Sequence, residues 1–106
     1  MRRVLLSLLL CGLPAATAAA QPMLYDFYAD WCGPCQSMAA TVDRLAAEGY
    51  AVERVNVDRQ PELAARYGVQ SIPMIALIRN GRMERAALGA KARPQLEAEL
   101  GMLVIP

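Results

Sequence analysis

The chain predicts an α/β fold, with a central mixed sheet of about four strands flanked by helices in the order β-α-β-α-β-β-α. Three observations carry that prediction. Short runs of large or β-branched residues alternate with segments of helical apolar spacing, the pattern of strands joined through helices. Prolines stand where each helical segment opens, at Pro34, Pro61 and Pro94, positions at which a missing N–H costs nothing. Asn80-Gly81 between two further runs is a two-residue hairpin signal, which adds an antiparallel edge. The full length of 106 residues suffices for one small domain and is too short for a two-domain enzyme.

Each element has its own reason. Leu24 to Tyr28 is a run of large residues suited to a strand, interrupted by Asp26. The helix opened by Pro34 carries Met38, Val42, Leu45 and Ala46 at i, i+4, i+7 and i+8, which predicts one buried stripe ending before Gly49. Val52 to Val57 is strand-like. Pro61 starts a second short helix carrying Leu63, Ala64 and Tyr67, closed by Gly68. Met74 to Ile78 is continuously apolar, as expected of a strand covered on both faces. Met83 to Leu88 returns from the hairpin, and a last helix is expected over Pro94 to Leu100. The closing residues 101–106, GMLVIP, are apolar and have no role legible from the sequence.

Residues 1–20 stand apart as a secretory signal peptide. Arg2 and Arg3 precede an apolar run from Val4 to Leu13, and Ala18 and Ala20 form the small-residue site expected for cleavage after Ala20 or Ala18. The run is too short to cross a bilayer as a helix, which takes about 20 apolar residues. Arg2-Arg3 alone is a weak twin-arginine signal, and Cys11 follows Leu10 where lipid attachment wants a small residue. The working domain is then residues 21–106, exported to the periplasm or beyond, where disulfides persist. Cleavage turns the formal charge of +1 into −1. Neither value suggests nucleic acid or an anionic membrane as the main partner.

The chemistry is expected at Trp31-Cys32-Gly33-Pro34-Cys35. Two residues between thiols on the first turn of a helix let the sulfurs meet. At the helix N-terminus, free N–H groups and the macrodipole favour a thiolate, so Cys32 is the expected nucleophile. Cys35, one turn inside, can attack the mixed disulfide and release the product. Zinc needs about four ligands, and two cysteines with no histidine do not supply them, so no metal is expected. Haem attachment requires a histidine where Gln36 stands. A purely structural bridge over so short a loop gains little.

The segment Tyr25-Asp-Phe-Tyr-Ala-Asp-Trp-Cys-Gly-Pro-Cys35 resembles the active-site segment of thioredoxins. The resemblance continues through Val55-Asn-Val-Asp58, Gly68-Val-Gln-Ser-Ile-Pro-Met74 and Arg79-Asn-Gly81, covering nearly all of residues 21–106. It implies a thioredoxin-like fold, thiol-disulfide exchange, and no cofactor beyond a redox-active Cys32–Cys35 pair. It also implies that Pro73 is a cis-proline facing the cysteines and that the Ile72 backbone pairs with a substrate strand. Asp26 matches the family's buried acid behind the second cysteine, a proton acceptor and donor. Trp31, Gly33, Pro34 and Gly89 match the rim of the substrate groove.

Two departures from the family modify the expectation. The family's additional leading strand and helix have no counterpart after residue 20, which implies an open sheet edge or a partner covering it. Arg54 stands where the family often has a lysine near the acid; arginine stays charged and should hold Asp26 more ionised than a lysine would. The Gly-Pro between the cysteines resembles the reducing members of the superfamily. With no imidazolium to stabilise the reduced form, a potential nearer about −270 mV than about −120 mV is expected. The leading expectation is a monomeric dithiol reductant of protein disulfides, with a membrane electron donor as its candidate partner. A binding or chaperone module with incidental cysteines, and a disulfide oxidant or isomerase, are the alternatives.

Overall fold

In the computed structural model, which describes residues 21–102, β1 (Met23–Tyr28) runs through the middle of a four-stranded sheet. The element order is completed by α1 (Gly33–Ala47), β2 (Val52–Asn56), α2 (Pro61–Arg66), β3 (Met74–Arg79), β4 (Arg82–Leu88) and α3 (Arg93–Leu100). The signal-peptide segment 1–20, Cys11 and the last four residues of the tail lie outside the described residues. The strand order is β2-β1-β3-β4, with β1 parallel to β2 and antiparallel to β3, and β3 antiparallel to β4. The expected α/β class and element order are therefore those observed.

Side-chain alternation divides β1 between two cores. Leu24 joins Met38, Val42 and Leu45 of α1, Ile75, Ala87, and Leu96 and Leu100 of α3 on one face. Phe27 joins Val55, Tyr67, Met74, Ala76 and Ile78 beneath α2 on the other. There Tyr25, Phe27 and Tyr67 form an aromatic trio with ring centroids 5.6 to 6.2 Å apart. β3 contributes to both cores, which explains why its apolar run does not alternate.

Two local expectations change. The buried residues of α1 are Cys35, Met38, Val42 and Leu45, and Ala46 is exposed. Seven residues nearly complete two helical turns, but eight overshoot by about 80°, which swings Ala46 off the stripe. The tail acquires a role in its first two residues. Gly101 caps α3 in the left-handed conformation (φ 70°), and Met102 packs against the core beside α3. Arg93 ties the start of α3 to the end of α1, its guanidinium bridging Glu48 and Glu97. Among the described residues, β2 pairs only with β1.

Candidate active site

β1 ends at Tyr28, and the chain turns through the buried Ala29 and the exposed Asp30 and Trp31 into α1. Cys32 is the N-cap of that helix, extended at φ −91° and ψ 109°, and Pro34 lies in the first turn. The Cys35 N–H donates to Cys32 Sγ over 3.1 Å. The two cysteines are joined as a disulfide with a Cα–Cα separation of 5.2 Å, within the ordinary range for such bridges. Once the bridge opens, that same N–H and the remaining free donors of the helix end stabilise negative charge on Cys32 Sγ. Cys32 is 5% exposed and Cys35 2%. The oxidised form therefore shows only a sliver of Cys32 to solvent.

The tertiary fold brings the second half of the chain against this bridge. Ile72 packs on Ala29 and the cysteines together with Tyr28 and Val57. The Ile72–Pro73 peptide bond is cis. The Gly89 N–H donates to the Pro73 carbonyl at 2.9 Å, which places the turn after β4 beside the proline. Gly89 has φ 86°, a conformation that glycine adopts without the steric cost a Cβ would bring. Trp31, Val57, Ala64, Val69, Ser71 and Ile72 line a mostly apolar groove of about 180 Å³ next to the disulfide. Gly33 and Pro34 are exposed on the helix start, and a Cβ at Gly33 would meet open space.

Trp31 is 71% exposed yet oriented, because its indole N–H donates to Asp58 at 2.8 Å. Asn56 holds the loop that carries Asp58. Its Oδ1 accepts from the N–H groups of Asp58 (2.9 Å) and Arg59 (3.2 Å), while its amide donates to Asp30 at 3.3 Å. Arg59 also reaches Asp30, so the two loops flanking the disulfide are cross-linked. Sequence reasoning left Asp30, Asn56, Val57 and Asp58 without roles. The only available signal was that Val55-Asn-Val-Asp58 belonged to the quoted resemblance.

Asp26 lies on the α1 face of β1, 2% exposed. Its β2 register partner is Arg54, whose Nε donates to Oδ2 at 3.0 Å. The guanidinium of Arg54 also sits 4.5 Å over the Tyr28 ring. Asp26 Oδ1 is buried with no hydrogen-bond donor among the described residues. Removal from water pushes the Asp26 carboxyl above its usual value of 3.8. Arg54 opposes this by charge and hydrogen bond, and Asp43 of α1 adds to the upward push. Burial wins because Arg54 supplies one side of the carboxylate and is itself partly solvated. A buried carboxyl with a bare oxygen and a raised pKa is suited to exchanging a proton with a neighbouring group.

The Thioredoxin family model matches residues 15–101. The chain is 40% identical over 83 residues to the thioredoxin of Alicyclobacillus acidocaldarius, covering 76% of this chain and 79% of that protein. It is 43% identical over 82 residues to thioredoxin 1 of Chlorobaculum tepidum, covering 74% and 81%. Among solved structures, the germline-specific thioredoxin Deadhead of Drosophila melanogaster superposes with a TM-score of 0.69 at 35% identity, over 80% of this chain and 83% of that one. With its Cys32–Cys35 bridge at the helix start, this chain belongs to the thioredoxin family and is a thiol-disulfide oxidoreductase.

Proposed function

We propose that the protein is an exported dithiol reductant acting on protein disulfides, with the Cys32–Cys35 pair as its only redox group. The observation that carries this reading is the bridge at the N-terminus of α1, beside an apolar groove and with Asp26 buried on the α1 face of the sheet.

In the reduced protein the Cys32 thiolate attacks one sulfur of a substrate disulfide, forming a Cys32–substrate bond and expelling the other substrate sulfur as a thiolate. Cys35 gives its proton to the Asp26 carboxylate and attacks Cys32 Sγ. The second substrate thiolate leaves, and the Cys32–Cys35 bridge has taken the place of the substrate's, two electrons having passed to the substrate. A substrate strand lies along Ile72 and Pro73, with its side chains against Trp31 and Val57, Gly89 at its edge, and Gly33 and Pro34 leaving room at the helix start.

Two features favour reduction over oxidation. Gly33 and Pro34 place no charged group between the cysteines, and the chain contains no histidine. A reductant outside the cytoplasm needs a membrane-spanning dithiol donor, because soluble reductases remain inside. The redox midpoint of the pair in glutathione buffers tests the direction. A value near about −270 mV is expected, and one above roughly −180 mV overturns the reductant reading. Export is tested by locating the protein and sequencing its N-terminus, expected at Gln21; a chain retained inside the cell with residue 1 intact refutes it. Replacing both Cys32 and Cys35 by serine should abolish function, and a variant that keeps it would show a binding module instead.

A further inference from the structure

We propose that Tyr28 is a positioning residue for the exchange reaction: its ring seats the Arg54 guanidinium beside Asp26 and so sets how readily Asp26 takes the Cys35 proton. The inference rests on the reading of Asp26 as the acceptor of that proton. Alternation along β1 puts Leu24, Asp26 and Tyr28 on the same face. Asp26 is the register partner of Arg54, and Tyr28 lies two residues further along β1, diagonal to it. Arg54 Cζ stands over the Tyr28 ring, 4.5 Å from its centre, while Nε donates to Asp26 Oδ2 at 3.0 Å. One guanidinium thus touches the ring and the acid at once. The same ring packs against Ala29 and the two cysteines. Tyr28 therefore lies between the disulfide and the cation that faces the acid.

The acid depends on that seat because little else fixes Arg54. Its side chain is 37% exposed, and a long, partly solvated side chain loses much rotamer freedom when a single hydrogen bond holds it. Among the described residues, Asp26 and the Tyr28 ring are the groups that engage it. The other groups around Asp26 do not replace it. Asp43 of α1 is acidic and pushes the carboxyl further upward. β3 brings Ile75 to this face, and α3 brings Leu96 and Leu100, all apolar. From β1 itself the titratable neighbour is the Tyr28 phenol. Arg54 is thus the cation that acts on Asp26, and a seat on an aromatic face raises its occupancy about two- to fivefold. With the ring removed, Arg54 spends more time in water, the carboxylate loses its partner, and Asp26 keeps its proton to higher pH. Less ionised acid then remains to take the proton as the Cys35 S–H bond breaks and the sulfur attacks Cys32 Sγ, releasing the substrate thiolate.

Two measurements test this: the Asp26 carboxyl titration by NMR in the oxidised protein, and single-turnover resolution of a mixed disulfide between Cys32 and a protein substrate. Tyr28→Leu should move the titration upward. It should also slow resolution about two- to fivefold on the acidic limb of the pH profile and leave the alkaline plateau unchanged. Tyr28→Phe keeps the ring without the hydroxyl and should match wild type in both. In an Arg54→Met background, Tyr28→Leu should move neither, because the group it acts through is gone. The wild-type protein serves even if the leucine variant folds poorly: its Arg54 side-chain protons should carry the upfield shift of groups held over a ring. Random-coil positions for those protons overturn the proposal. So does a Tyr28→Leu titration that matches wild type or moves downward, the same shift with Arg54 present and absent, or Tyr28→Phe behaving like Tyr28→Leu. An Asp26→Leu variant that resolves as fast as wild type overturns the reading of Asp26, and with it the kinetic role of Tyr28, whatever the titrations show.

Discussion

Replacing Asp26 by leucine should make the protein more stable at neutral pH and slower in exchange. Once ionised, the native carboxylate has one oxygen bare and buried, which costs about 1–3 kcal/mol. Its pair with Arg54, whose side chain is 37% exposed, returns only about 1 kcal/mol after solvent screening. Leucine shares the branching of aspartate, is larger, and faces the apolar side of α1 with Leu24 and Met38, so it removes the desolvation cost and adds apolar contact. A net gain of about 1–3 kcal/mol is expected, each kcal/mol raising the melting temperature by about 4–8 °C in a domain of this size. The gain must depend on pH. The folded-state pKa of Asp26 lies above its unfolded value of 3.8. The protonated acid's contribution is therefore complete below 3.8 and is lost as pH rises through the folded value. Urea unfolding of wild type and Asp26→Leu, followed by circular dichroism in one redox state, should show the gap widening from pH 3 to pH 8. Resolution of the mixed disulfide should slow on the order of 10²-fold. A leucine variant less stable than wild type at pH 7, or a gap that ignores pH, would refute the reasoning.

Arg54→Lys should raise the Asp26 pKa, because lysine loses both the directed Nε hydrogen bond and the seat over Tyr28; an unchanged carboxyl titration by NMR would contradict this. Asp58→Ala should free the Trp31 indole and raise KM for a protein disulfide several-fold while moving stability by less than about 0.5 kcal/mol, since both groups are exposed. A fall in kcat with KM unchanged would assign Asp58 a different role. Gly89→Ala should cost about 1–2 kcal/mol from the left-handed backbone alone, as nothing in the fold meets the added methyl. It should also weaken protein-disulfide reduction more than reduction of a small disulfide. Equal losses on both substrates would remove Gly89 from the groove.

Most of the fold was legible because its determinants are local. Proline at each helix start, the 3.6-residue apolar spacing of Met38, Val42 and Leu45, and the Asn80-Gly81 turn each act within a few residues of where they stand. Ala46 misled because eight residues on from Met38 the helix has turned about 80° past the buried stripe, which a coarse i, i+4, i+7, i+8 template does not resolve. The disulfide was legible too, since Cys32 and Cys35 share one helical turn. The oriented Trp31 was not. Its indole is held by Asp58, an exposed loop residue positioned by Asn56, and neither hydropathy nor spacing marks such a contact.

The sequence by itself determined the redox pair, its place at a helix N-terminus and the class of the fold, because covalent reach and helix-end electrostatics operate between neighbours in the chain. Only the tertiary structure decided what surrounds the pair. Register across parallel strands set Arg54 against Asp26 and left one carboxylate oxygen bare, and sheet topology brought Ile72, Pro73 and Gly89 to the disulfide. Charges and carboxyl groups act through distance and burial, and those quantities exist only once remote segments have packed.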